Sequence, residues 1–234
     1  MPNIKFHHIA ALLITLFSFN AYADSPLNPW VGAYGQVGLI GYESYIPKST
    51  SGTTSVGNYT FPNTATANHA NGPAANIGIG YNFGISENYI LGIGAALYPG
   101  HSRSVGTTLV TTTPSGASVK YGTYDVSNIF SFSLLPGYVI NKSHLIYAKI
   151  GYAGSTLNAN SPGNYPQQST RVNGTVYGLG YKQLITESIY FFGEGNYAVN
   201  RAKAVTVVTD SGAIVKSTAD ATGYDFVFGV GYHF

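Results

Sequence analysis

The segment 224–234 alternates without a break. Tyr224, Phe226, Phe228, Val230, Tyr232 and Phe234 share one parity, and Asp225, Val227, Gly229, Gly231 and His233 share the other. Successive side chains of a β-strand point to opposite faces, so such a strand has one aromatic and apolar face and one that is mostly small or polar. In water the apolar face would need a covering layer, and no stretch of the chain reads as a helix that could supply one. In a membrane, lipid supplies it.

The same period of two marks seven further strands, at 29–42, 74–83, 89–98, 125–140, 145–155, 171–184 and 189–200. Their connections alternate in length. Segments 84–88, 141–144 and 185–188 are tight turns, whereas 43–72, 99–124, 156–170 and 201–220 are long and rich in Thr, Ser, Asn, Gly and Pro. Short turns on one side and long loops on the other is the pattern of an outer-membrane barrel, and eight is an even number, as single-chain bacterial barrels require. The expected fold is all-β: a closed, eight-stranded, antiparallel, up-and-down transmembrane barrel. It has short periplasmic turns, four long extracellular loops and both termini on the periplasmic side.

The start of the chain agrees with export. Residues 1–23 carry Lys5, an apolar run at 9–19 and the small-x-small end Ala21-Tyr22-Ala23, so cleavage before Asp24 is expected, leaving 24–234 as the barrel domain. The apolar run is too short for a spanning helix, which argues against a retained anchor. The chain has no Cys, so neither a lipid-modified N-terminus nor a disulfide framework is expected. Charged residues are only 9% while aromatics are 14%, and mean hydropathy is +0.07. That balance fits neither a charged soluble surface nor a helical membrane protein; a barrel wall, apolar outside and small or polar inside, produces it. The formal charge of +2 gives no reason to propose nucleic acid as a partner.

A Gly-Tyr pair precedes each tight turn, at Gly80-Tyr81, Gly137-Tyr138 and Gly180-Tyr181, and Gly231-Tyr232 holds the matching place in the last strand. Tyr81, Tyr138, Tyr181 and Tyr232 are expected in the periplasmic aromatic girdle, with the glycines facing a crowded lumen. Parity sends Lys149, Lys182 and Glu194 inward, joined by Gln36, Asn76, Asn82 and Asp225. Ionisable groups at membrane depth are costly unless paired or wet. Glu194 is therefore expected to pair with Lys149 or Lys182, and the set to form a polar plug in place of a hydrophobic core. Eight strands leave room only for side chains, which favours a plug over a gated conduction path.

The run from Trp30 to Gly38, the repeated Gly-Tyr strands and the C-terminal strand together resemble the small outer-membrane β-barrel family that includes OmpA-type membrane domains, opacity proteins and the OmpX/Ail group. The resemblance covers the whole mature chain and implies a monomer without cofactor. It also implies that Phe226, Phe228, Val230, Tyr232 and Phe234 serve as the terminal signal read by the barrel-assembly machinery. No peptidoglycan-binding domain is expected after the last strand.

Sites of other kinds are weakly marked. Some eight-stranded barrels modify lipid A, but the best nucleophile–base fragment, His101-Ser102 with Ser104, lacks an evident acid. His69, His101, His144 and His233 have no metal-ligand spacing, so no metal is expected. Gly-x-Gly pairs such as Gly78-Ile79-Gly80 open no helix and are better read as small lumen positions than as a nucleotide site. The Thr-rich segments 107–113 and 49–54 are expected to be solvated loops. The leading functional expectation is a non-enzymatic surface protein whose loops meet host factors, other cells or lipopolysaccharide, or which supports the envelope. A narrow channel for small or hydrophobic solutes is the first alternative, and a lipid A-modifying enzyme the second.

Overall fold

The computed structural model describes residues 28–160, 167–220 and 222–234; the expected signal segment 1–23 lies outside them. The described residues form β1 (Gly32–Tyr45), β2 (Thr50–Val56), β3 (Tyr59–Ala67), β4 (Ala70–Pro73), β5 (Asn76–Gly84), β6 (Tyr89–His101) and β7 (Val105–Thr113). There follow β8 (Gly116–Asn141), β9 (His144–Asn160), β10 (Gln168–Leu184), β11 (Ile189–Asn200), β12 (Lys203–Val208), β13 (Ile214–Ala219) and β14 (Gly223–His233).

Eight strands close a ring. The order is β1-β5-β6-β8-β9-β10-β11-β14 and back to β1, with every neighbour antiparallel. Closure leaves no unpaired backbone edge facing hydrocarbon, the condition for a sheet to span a bilayer. Alternation along each strand sorts the side chains: Phe226, Phe228, Val230 and Tyr232 of β14 are exposed outward, while Val227 and His233 are buried inward. The ring strands are longer than their apolar patterns. β8 starts at Gly116 rather than near 125, and β9 runs on to Asn160.

The extra length matters because the long connections are not irregular loops. Strands β2 and β3 form a hairpin, as do β12 and β13, and β7 folds back on the upper half of β8. These hairpins join edge to edge through β13–β2 and β3–β7, carrying one continuous sheet above the membrane. The expectation that 107–113 and 49–54 are solvated loops is corrected: they are β7 and most of β2. Thr is β-branched and stiff at χ1, which suits a pleated surface as well as it suits a loop. Hydroxyl pairs across strands fix the arrangement, with Thr50 to Ser217 at 3.0 Å and Thr54 to Thr111 at 3.1 Å.

Register shifts cluster where the wall leaves the membrane. They lie at Gly38/Ile40 in β1, Tyr98/His101 in β6 and Ser127/Phe130 in β8, with a further one at Val139/Asn141 beside the periplasmic turn. The β8 bulge places Asn128 at φ 50°, a left-handed conformation that Asn tolerates better than most residues.

Candidate functional site

The lumen is filled in layers. At the periplasmic end Trp30 is fully buried, packed edge-on against Tyr190 with ring centroids 5.7 Å apart. Ile90, Leu135, Val139 and Leu145 complete this apolar floor. Asn82 donates to the Trp30 carbonyl at 2.8 Å and so fixes the entry of the chain into β1.

Lys182 sits above the floor among three tyrosine rings. Its Nζ is 3.7 Å from the centroid of Tyr34, 4.8 Å from Tyr190 and 5.4 Å from Tyr147. Ring faces carry negative charge density and attract a cation most strongly where water is excluded. Tyr190 in turn donates to Gln36 Oε1 at 3.1 Å. The glycines of the Gly-Tyr pairs make this layer possible. A Cβ on Gly180 would lie 2.1 Å from the Tyr147 ring, one on Gly231 2.1 Å from the Tyr190 ring, and one on Gly80 2.5 Å from the Tyr34 hydroxyl.

The next layer centres on Glu194. Lys149 Nζ donates to its Oε1 at 2.8 Å, Tyr147 to its Oε2 at 2.7 Å, and Asn196 to Oε1 at 2.9 Å. Asn196 also donates to Asp225 at 2.9 Å, and Tyr98 donates to the same carboxylate at 3.1 Å. Asn76 is buried beside Gly38 and Val227. Glu194 thus pairs with Lys149, whereas Lys182 lies one layer lower against rings. Among these groups lies a small cavity of about 20 Å³, lined by Tyr34, Gln36, Lys149 and Glu194, among others. That is room for about one water.

A second apolar layer caps the network. It is built from Ala70, Tyr124, Val126, Leu157 and Val172, with Tyr45, Ala67 and Ala219 against it. Tyr124 donates to the Asn68 carbonyl at 3.0 Å, and burial pushes its hydroxyl up to about 12, so it stays a neutral donor. The expectation of a polar plug in place of a hydrophobic core is therefore corrected. The polar network is one layer between two apolar ones. Three inward tyrosines, Tyr34, Tyr147 and Tyr190, escaped the sequence reading, although each shares the parity of Gln36, Lys149 or Glu194 on its own strand.

On the outside, Tyr81, Tyr138, Tyr181 and Tyr232 are all partly exposed, and neighbouring rings extend the belt through Tyr81–Phe83, Tyr89–Tyr138 and Tyr232–Phe234. At the upper rim His101 does have an acid, because the β6–β8 ladder sets it beside Ser127 and within reach of Asp125, at 3.0 Å from Nδ1 to Oδ1. Asn158 holds the same carboxylate at 2.9 Å. The Ser102 hydroxyl is turned to the backbone, accepting from Val126 N–H and donating to the Arg103 carbonyl. No group of three or more His, Asp or Glu side chains close enough to hold a metal occurs among the described residues.

The architecture can be set beside known proteins. A family model for the outer membrane protein β-barrel domain matches residues 9–234. The chain belongs to that family. An outer membrane protein β-barrel of this kind resides in the Gram-negative outer membrane. Among solved structures, OprG from Pseudomonas aeruginosa has the same fold, with a TM-score of 0.58 at 12% identity, covering 89% of this chain and 98% of that one. Ail of Yersinia pestis aligns with a TM-score of 0.43 at 15% identity, over 87% of this chain and 100% of that one. A sequence search of curated proteins returned no match.

Proposed function

We propose that this outer-membrane barrel is a non-conducting, non-enzymatic scaffold that presents a positively charged β-platform outside the cell to anionic partners. The supporting observation is the charge carried by the extracellular sheet and its joints. Lys48, Arg103, Lys120, Arg171, Arg201, Lys203 and Lys216 are exposed there, whereas Asp210 is the one exposed carboxylate among the described residues of that side. The periplasmic turns are different, with Glu87 and Glu187 exposed beside Lys142. A one-signed surface attracts partners of the opposite sign over roughly a Debye length, about 8 Å at physiological salt. Phosphates of lipopolysaccharide and acidic glycans of another cell share the required chemistry. The filled lumen supports the non-conducting part of the reading, and among the described residues the engagement of His101 with Asp125 and of the Ser102 hydroxyl with backbone groups supports the non-enzymatic part.

Binding of the refolded barrel to lipopolysaccharide and to dextran sulfate, at low and high salt, tests it. Binding that falls steeply with salt, and falls again in Lys203→Glu/Lys216→Glu, is expected; the stronger of the two anions identifies the source. Binding indifferent to both salt and charge reversal would sink the reading.

A further inference from the structure

Above the second apolar layer, the extracellular sheet borders a half-open cavity of about 220 Å³. It is separate from the lumen, because Tyr124, Leu157 and Ala219 belong to the layer that closes the barrel below it. Ala65, Val205 and Val207 add aliphatic walls. Its volume equals that of about seven waters, enough for a small organic molecule. On one side Val205 and Val207 of β12 face Gln168 and Thr170 of β10, two strands that are not joined by a ladder.

Part of the polar lining is satisfied from within. The hydroxyls of Thr50 and Ser217 bond each other, and that of Tyr124 bonds the Asn68 carbonyl. Asp220 is different. It lines the chamber at 7% exposure, and its Oδ1 accepts the backbone N–H of Thr222 at 2.7 Å. No Lys, Arg or His of the described residues lies within ion-pairing distance of it. Lys48 lines the same chamber but is exposed and stands outside that distance. A mostly apolar pocket with one carboxylate in its wall selects a ligand that supplies the opposite charge. The Tyr124 ring adds a face on which a cation can rest.

The geometry points to a binding site for a small organic ammonium ion with a short apolar body. Its charged end meets Asp220, and its hydrocarbon lies along Ala65, Leu157, Val205 and Val207. The site shares Lys48 with the polyanion surface, whereas Lys203 and Lys216 are not part of its lining.

Amide chemical-shift mapping on the full folded barrel tests the site, with butylammonium, butanol and butyrate as probes. Saturable shifts confined to the chamber residues are expected with butylammonium, at least about tenfold weaker with butanol, and absent with butyrate. Asp220→Asn, which keeps the shape, should weaken butylammonium by a similar factor, while Lys48→Met should leave it equal or tighter. Ala65→Phe, or Ala219→Leu if the first does not fold, should block it. Equal binding of butanol, or no saturable shift from butylammonium on a folded barrel, overturns the proposal. Unchanged amine binding in Lys203→Glu/Lys216→Glu keeps this result separate from the fate of the polyanion reading.

Discussion

At Glu194 three donors converge, and only Lys149 among them carries charge. Both members of this pair are almost fully buried. Removing one partner leaves the other charge unmatched, which costs about 3–5 kcal/mol, whereas replacing both by apolar groups of similar size is often neutral. Glu194→Gln should therefore lower the denaturant midpoint of the folded barrel far more than Lys149→Met/Glu194→Leu does; equal losses would show that the charge pair is incidental. The glycines opposite the tyrosines make a second contrast. Gly180→Ala drives a methyl into the Tyr147 ring, while a Cβ on Gly35 meets nothing within 4 Å. Overpacking costs about 1–3 kcal/mol. A lowered heat-modifiability midpoint is expected for Gly180→Ala, and none for Gly35→Ala.

At the scale of elements, the ring and the extension have different claims on stability. None of the eight ladders of the ring includes β12 or β13, which pair with each other, β13 also pairing with β2. Replacing 203–219 by a short turn should leave a barrel that still shows a heat-dependent gel shift, while exposing the β2–β3 hairpin to protease. Loss of the shift would mean that the extension templates the ring. This division also explains what the sequence disclosed. The ring strands alternate because lipid lies on one side and packed side chains on the other, so parity found all eight and placed Lys149, Lys182 and Glu194 inward. In β2 and β7 both faces carry Thr, Ser and Gly, so nothing in the pattern separates strand from loop. The pairing of His101 with Asp125 was hidden for another reason: it depends on a register set by a bulge, and residues 24 apart in sequence give no local sign of it.

For the whole molecule, two apolar layers flank a polar one that holds a cavity of about 20 Å³. The unaltered barrel should be electrically silent in planar bilayers, and Tyr34→Ala/Tyr190→Ala, which strips two rings from around Lys182, should give steady unitary currents. Currents from the unaltered protein would mean that the layers open, and would move the channel from first alternative to first functional reading.

The ring also sets an order of events. β1 and β14 are far apart in the chain and neighbours in the barrel, paired from Tyr34↔His233 to Tyr45↔Gly223. Until β14 arrives, β1 and β11 each present a row of amides and carbonyls that hydrocarbon cannot satisfy. Every intermediate in biogenesis therefore has an open flank that something else must shelter. The seam between the first and last strands is the clasp, and the rest of the wall becomes permanent only when it shuts.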